Sequence, residues 1–289
     1  MIDKVITRID RDTGEIISSV WRVEEQDEGW KQRRTNETEA EGKQFYVKGE
    51  RTELGSFIWL LYNVNRALEF GLSPASLTRI IFLATYMNYE NYIVYDNQVR
   101  VKVTKLHNLL KIGRTAMSNF LSETEEKGII SVDSDTKFVK VNSDMFVKGS
   151  LADITVSKNA MRLYIMGIRR LYNKADATEH KTLSYVFQAI PYVNLNYNIL
   201  CRNPYEQYSR DVEAITLNEY CRVVGYDPHH TSQLKTYLKK ITVSDEGVFG
   251  FVDTSKGYYM IINPRIYYAG NQYDQVQILG KFFKPGKEG

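Results

Sequence analysis

Residues 104–130 read TKLHNLLKIGRTAMSNFLSETEEKGII, and their pattern is helix, turn, helix. Thr104 stands at an N-cap position ahead of the apolar Leu106, Leu109 and Leu110. Ile112-Gly113 breaks this first helix, since glycine accepts the backbone twist such a turn needs. A second helix starts near Arg114. Its Met117, Phe120 and Leu121 recur at i, i+3, i+4 and share one face. Gly128 sits where a left-handed C-terminal residue is wanted. The polar Arg114, Thr115, Ser118 and Asn119 crowd the start of the second helix, the part of a helix-turn-helix that meets base edges and phosphates.

Upstream, residues 56–70 carry Phe57, Leu60, Leu61, Val64 and Leu68 at helical spacing, which predicts an amphipathic helix ended by Gly71. Ser73 and Pro74 suit the cap and first position of another helix, running through Leu77, Ile80, Ile81, Ala84 and Met87. That helix is apolar nearly all round, so it belongs at the centre of a core. Residues 92–95 and 99–103 flank a turn at Asp96-Asn97 and predict a hairpin. Residues 129–132 and 138–141 predict a second one after the helix-turn-helix. Helix, strand, helix, helix, hairpin is the winged-helix plan, with the last hairpin, the wing, beside the second helix of the pair.

The second half repeats the plan. Residues 161–171 predict a helix with Leu163, Met166, Ile168 and Leu171 apolar. Thr178 is placed to cap another helix, up to Ile190, where Pro191 stops it. Residues 198–201 read as a strand and 203–211 as a polar loop. Residues 216–241, TLNEYCRVVGYDPHHTSQLKTYLKKI, form the second helix-turn-helix. Thr216 caps a helix using Leu217, Tyr220, Val223 and Val224, and Gly225 breaks it. A further helix from near Pro228 carries Leu234, Tyr237 and Leu238, and residues 248–252 with 258–262 predict a second wing. The intervals Thr104 to Gly113 and Thr216 to Gly225 are both nine positions. After each wing comes Asn-x-x-φ-φ-φ-x-Gly, as NSDMFVKG from Asn142 and NPRIYYAG from Asn263. A period of about 112 residues is too long for a solenoid and fits duplication of a domain.

The expected fold class is therefore α+β: two tandem winged-helix domains, each a helix-turn-helix plus β-wing, preceded by a β-hairpin arm. The domains span 49–152 and 153–275. The arm and a polar linker occupy 1–48, and a basic tail occupies 276–289. The arm rests on alternation in 5–9 and 16–23 about Asp12-Thr13-Gly14. The linker, 24–44, includes a basic cluster of Lys31, Arg33 and Arg34, and 45–48 reads as a short strand.

Composition narrows the function classes. At 289 residues the chain suits two domains, and 43% hydrophobic content supplies their cores. The net charge of +3 suits a polyanionic partner without demanding one. No apolar run reaches a membrane span, and no secretory pattern opens the chain. Two cysteines, Cys201 and Cys221, lack metal or redox spacing, so reduced thiols in a cytoplasmic protein are expected. No Walker-type loop occurs, and four histidines offer no nucleophile–base set. The reading is a protein with no catalytic residues, no cofactor and no metal. His229-His230 is discounted as a metal site because helix neighbours point about 100° apart and no Cys or carboxylate cluster completes one.

The expected partner is double-stranded DNA. In the first unit the reading face is Arg114, Thr115, Ser118 and Asn119, with Lys105, Lys111 and Lys137 holding phosphate. Glu123, Glu125 and Glu126 repel phosphate, so only the first two turns of that helix face DNA. In the second unit the set is His229, His230, Thr231, Gln233, Lys235, Lys239 and, at the wing tip, Lys256. This helix is the more basic and is expected to carry more of the affinity.

The helix-turn-helix together with Asn263-Pro-Arg-Ile-Tyr-Tyr-Ala-Gly270 resembles plasmid and phage replication initiators. A wing ending in Ile-Asn-Pro, an aromatic pair and glycine is similar to the RepL-type plasmid replication proteins. Two winged helices in one chain are similar in layout to the iteron-binding initiators. The likeness covers the layout of residues 50–270, and 1–44 match neither family. It implies binding to origin repeats and recruitment of host replication proteins. A transcriptional repressor of a mobile element is the next reading, and a protein-binding scaffold the third. A homodimer is also open, through the apolar 57–68 helix.

Overall fold

The computed structural model describes residues 6–9, 16–20, 55–62, 71–149, 159–268 and 283. Seven α-helices among them combine with small antiparallel sheets in a mixed α+β fold. β1 (Ile6–Ile9) and β2 (Ile16–Val20) form the expected antiparallel hairpin. The first half continues with β3 (Phe57–Tyr62), α1 (Pro74–Ala84), α2 (Leu106–Leu110), α3 (Arg114–Glu126), the hairpin β4 (Ile130–Val132) and β5 (Val139–Val141), and β6 (Phe146–Val147). The second half runs β7 (Asn159–Tyr164), α4 (Ile165–Lys174), α5 (His180–Gln188), α6 (Leu217–Val223), α7 (Thr231–Lys240), β8 (Thr242–Val243), β9 (Glu246–Gly247), β10 (Phe249–Thr254), β11 (Gly257–Ile262) and β12 (Tyr267–Tyr268). The linker, the 45–48 strand and the tail apart from Phe283 lie outside the described residues.

Two helix expectations are corrected. Residues 57–62 of the predicted 56–70 helix are strand β3, and 63–70 lie outside the described residues. The predicted 161–171 helix is strand β7 up to Tyr164 and helix α4 after it. Both strands are central in a four-stranded antiparallel sheet of order β12-β7-β3-β6. A strand buried on both faces shows no alternation, so its apolar run cannot be told from a buried helix by periodicity. Ile58, Trp59, Leu60, Leu61 and Tyr62 are all buried, so the described part of the 57–68 stripe is interior strand.

The sheet joins the two halves symmetrically. Leu60 pairs with Phe146 and Trp59 with Val147. Leu163 pairs with Tyr267 and Arg162 with Tyr268. Phe146 and Tyr267 hold the same place in the two Asn motifs, so Trp59 and Arg162 are equivalent residues. They also face each other in the β3–β7 register, which places a local two-fold axis at that pair. The Asn motifs match in their bonds as well. Asn142 donates from Nδ2 to Gly128 O (3.0 Å), accepts from Asp144 N (2.8 Å) and donates its own N–H to Ile129 O (2.9 Å). Asn263 does the same with Gly247 O (3.0 Å), Arg265 N (3.0 Å) and Val248 O (2.8 Å). Each asparagine ties the end of a hairpin to its beginning.

Helix α1 is buried from Ser76 to Ala84, as its all-round apolar character requires. Ser73 is its N-cap, but the Ser73 side chain caps nothing in its own helix. Glu123 of α3 instead accepts from Ser73 N and, at 2.9 Å, from Ser73 Oγ. A carboxylate thus meets the positive end of α1 from another element. Burial pushes the Glu123 carboxyl up, and hydrogen bonds from Ser76 and Ser73 with the Lys127 charge outweigh it and hold it below its usual range. Thr178 does not cap α5 either: it lies in the preceding turn and Glu179 takes the N-cap position.

The halves also meet through α1, α4 and α5. Thr78 Oγ1 donates to His180 O (2.8 Å), and Arg79 Nε to His180 Nδ1 (3.3 Å). Tyr172 of α4 stacks on Phe82 (3.7 Å between centroids) and on His180 (4.3 Å). Its hydroxyl donates to Leu110 O (2.7 Å), at the end of α2. Gly167 brings α4 against the turn after Asn263, where an added Cβ would lie 2.3 Å from Arg265 O. Gly167→Ala is expected to lower the urea-unfolding free energy by about 2 kcal/mol through that clash.

Burial, and then the Arg79 charge, hold the His180 imidazole down at about 4, against 6.5 for a free histidine. The unfolded chain therefore takes up this proton first as pH falls. Stability is full above about pH 6.5 and is lost between there and pH 4. Unfolding free energy at about pH 5 is expected to be about 2 kcal/mol lower than at pH 7. His180→Asn keeps an acceptor for Arg79 and removes the titration, so denaturation curves of that variant should lose this part of the pH dependence.

Candidate nucleic-acid interface

Two helices joined by a short turn, α2 and α3, stand where the first helix-turn-helix was expected, with different local devices. The chain enters α2 through a 3-10 turn at Val103–Lys105, and Thr104 lies inside that turn instead of capping. The left-handed residue between the helices is Lys111 (φ 52°), and Gly113 is the extended N-cap of α3. In the second unit Gly225 is left-handed (φ 67°), as expected. Thr216 and Glu219 make a full capping box on α6, bonding each other's backbone N–H at 3.3 and 2.7 Å. The equal nine-residue spacing is therefore not a structural equivalence: Lys111, not Gly113, corresponds to Gly225.

Helix α3 buries Met117, Phe120 and Thr124 and turns Arg114, Thr115, Ser118 and Asn119 outward. All four are exposed, and none bonds to another described residue through its side chain. Gly128 ends the α3 region left-handed (φ 63°), as predicted. Lys105 is exposed at the N-terminus of α2. Lys111 is exposed too, but its ammonium donates to Asn173 Oδ1 of α4 (2.8 Å). Lys137 (φ 60°) lies at the tip of the β4–β5 hairpin together with Asp133 and Asp135. Thr136 hydrogen bonds first, helped by the Asp135 N–H and Lys137, hold the Asp133 carboxyl below its usual range. This tip is no basic finger.

Sequence reasoning missed Lys102 and Lys140. Both are exposed on the outer side of the hairpin sheet, where Lys102 bridges Phe138 and Tyr92 bridges Lys140. Arg100 stacks on Tyr92 at 3.9 Å and pairs with Glu90. The signal was present as alternation around buried Val101, Val139 and Val141.

Helix α7 buries Leu234 and Leu238. His229 and His230 precede it in a 3-10 turn capped by Asp227, whose carboxylate accepts His229 N (2.9 Å) and lies 3.7 Å from His230 Nε2. Thr231 is structural: its hydroxyl donates to Pro228 O (2.6 Å). Lys239 and Lys256 are exposed, and so are Ser232, Thr236 and Lys240. Lys235 is only partly exposed. Its Nζ lies 2.8 Å from the Tyr258 ring centroid and 5.7 Å from that of Phe251, so it clamps α7 to the β10–β11 hairpin. Tyr237, predicted as a core position, is 36% exposed, as is Val223 at 37%. Tyr237 shares Gln233 with Tyr226: Tyr226 donates to Gln233 Oε1 (3.0 Å) and Gln233 Nε2 donates to Tyr237 (2.9 Å).

Among the described residues no group of three or more His, Cys, Asp or Glu could hold a metal ion, and no helix is long and apolar enough to cross a membrane. Comparison with known proteins finds no matching family model, no similar curated protein and no similar solved structure.

The Lys235 clamp has a measurable size. In a double-mutant cycle, Lys235→Ala and Tyr258→Ala are expected to couple by about 1 kcal/mol in urea denaturation. Lys239→Ala, on the open side of α7, should change stability by less than about 0.5 kcal/mol.

Proposed function

We propose that this chain binds double-stranded DNA in sequence-specific fashion through two winged-helix units, α1 to β5 and α5 to β11. The observation that carries this is the outward face of α3. Arg114, Thr115, Ser118 and Asn119 stand exposed at the start of the second helix of a helix-turn-helix, beside a two-stranded hairpin. The same order of elements recurs around α7, which adds Lys239 and Lys240. In each half the chain ahead of the helix-turn-helix pairs with the second hairpin strand, as Tyr92 with Lys140 and Ile199 with Ile261. The second helix of each pair enters the major groove and the hairpin rides on the flanking backbone.

The strands that join the halves pair two-fold about Trp59 and Arg162, and the proposal extends that symmetry to α3 and α7. Their target is then two dissimilar half-sites in inverted orientation, since protein symmetry is mirrored in the DNA site. The resemblance of the Asn263 motif and the tandem layout to plasmid initiators supports origin repeats as that target, with host replication proteins as further partners. The inverted arrangement equally suits an operator, so a repressor of a mobile element is the second reading.

The test is selection of bound fragments from the source replicon at two salt concentrations. Enrichment next to the replication origin supports the initiator, and enrichment at promoters supports the repressor. Retention that does not weaken with salt, or none at low salt, removes DNA as the partner. Lys239→Ala is expected to reduce the slope of log K against log salt by about 0.9. Arg114→Ala should relax base preference at one position in the first half-site.

A further inference from the structure

Gln233 is the third residue of α7, in the turn that approaches base edges if the chain binds DNA as proposed. Its amide is held at both ends. Tyr226 donates to Oε1 at 3.0 Å, and Nε2 donates to the Tyr237 hydroxyl at 2.9 Å. Tyr226 is itself set edge-on against buried Tyr185, with ring centroids 6.0 Å apart and planes at 89°. Gln233 and Tyr237 are four apart and so lie on one side of the helix, away from the hairpin that Lys235 clamps.

An amide has two acceptor sites on its oxygen and two donor hydrogens on its nitrogen. The tyrosines take one of each. One acceptor site on Oε1 and one N–H on Nε2 remain for a ligand, and Gln233 is exposed. That pair is the complement of an adenine edge, where N6–H donates and N7 accepts. With Lys111 aligned on Gly225, and so the N-caps Gly113 and Asp227 on each other, Gln233 and Tyr237 fall on Asn119 and Glu123 of α3. Asn119 is exposed and its side chain bonds no other described residue, while Glu123 accepts from Ser73. Both units carry an exposed amide at this place, and only the second holds it in advance.

From this arrangement we infer that Gln233 is a specificity-determining residue that reads one adenine in the major groove of the half-site bound by α7, with Tyr226 and Tyr237 as positioning residues for its amide. The inference rests on the DNA-binding reading. Holding the amide in advance removes the ordering cost that a free glutamine meets on binding. The tyrosines add no base contact of their own.

The experiment is selection from a randomised double-stranded DNA library with the full chain and its variants, followed by sequencing and by measurement of affinity against salt. The wild-type chain is expected to select a motif with an invariant adenine in the segment that footprinting assigns to α7. Gln233→Ala should cut the preference for that adenine about tenfold and leave the rest of the motif intact. Gln233→Glu should move the preference to cytosine, whose N4–H donates to a carboxylate. Tyr226→Phe and Tyr237→Phe should each weaken the adenine preference about threefold without changing the salt slope, which a loss of fold or of phosphate contacts would alter. If Gln233→Ala and Gln233→Glu select the wild-type motif, the inference is overturned while DNA binding stands. If the wild-type chain selects no motif and shows no salt-sensitive binding, the DNA reading falls and this inference with it.

Discussion

Strand β3 lies against strand β7 with Trp59 opposite Arg162, and the placement of both halves depends on that register. Side chains alternate across a strand, so the pairing divides the sheet into two environments. Ile58, Leu60, Tyr62, Met161 and Leu163 join the main core, while Trp59 and Leu61 pack on the other side with Phe57, Val147 and Ala160. A slip of one residue would exchange the two sets. Trp59 Nε1 also donates to Gly149 O (3.0 Å), fixing the chain just after β6. Because β6 and β12 follow their hairpins through the same asparagine turn, the register at the centre is carried out to both hairpins.

Helix α4 carries it to the helix-turn-helix units. Tyr172 reaches the last carbonyl of α2, and Asn173 takes the Lys111 ammonium. On its other side Lys174 donates to Thr242 Oγ1 (2.6 Å), and Arg170 to Ser244, in the segment that leaves α7. Arg169 stacks on Tyr86 at 3.6 Å and bonds Thr85 and Asp96, holding the end of α1. One ten-residue helix thus touches both units that carry candidate DNA contacts.

The two halves share a plan and differ in chemistry. Helix α3 begins polar and ends with Glu123, Glu125 and Glu126, of which Glu123 serves the N-terminus of α1. Helix α7 ends with Lys239 and Lys240 and begins with an amide held by tyrosines. A polar group held in place by its neighbours has already met an ordering cost that an unheld one meets only on binding.

Helices α2, α3, α6 and α7, the hairpins after them and the Asn motif were legible in the chain, because each is set by local rules. Apolar spacing, glycine at a left-handed position and the Thr216–Glu219 capping box need no distant partner. The outward faces of α3 and α7 followed from the same spacing. Four features did not. Residues 57–62 became a strand because two neighbours pair with them, which an apolar run cannot reveal. Lys111, not Gly113, is the left-handed residue of the turn, and Gly113 is the extended N-cap of α3. Lys235 left the solvent face for the Tyr258 ring, a residue 23 positions on. Tyr237 reached the surface although its spacing from Leu234 and Leu238 predicted a core position. Local pattern determines which segments are helix, turn or hairpin, because those bonds close within a few residues. Which strands pair, which cations stay free and which amide is held depend on residues brought together from across the chain, and only the packed fold sets them.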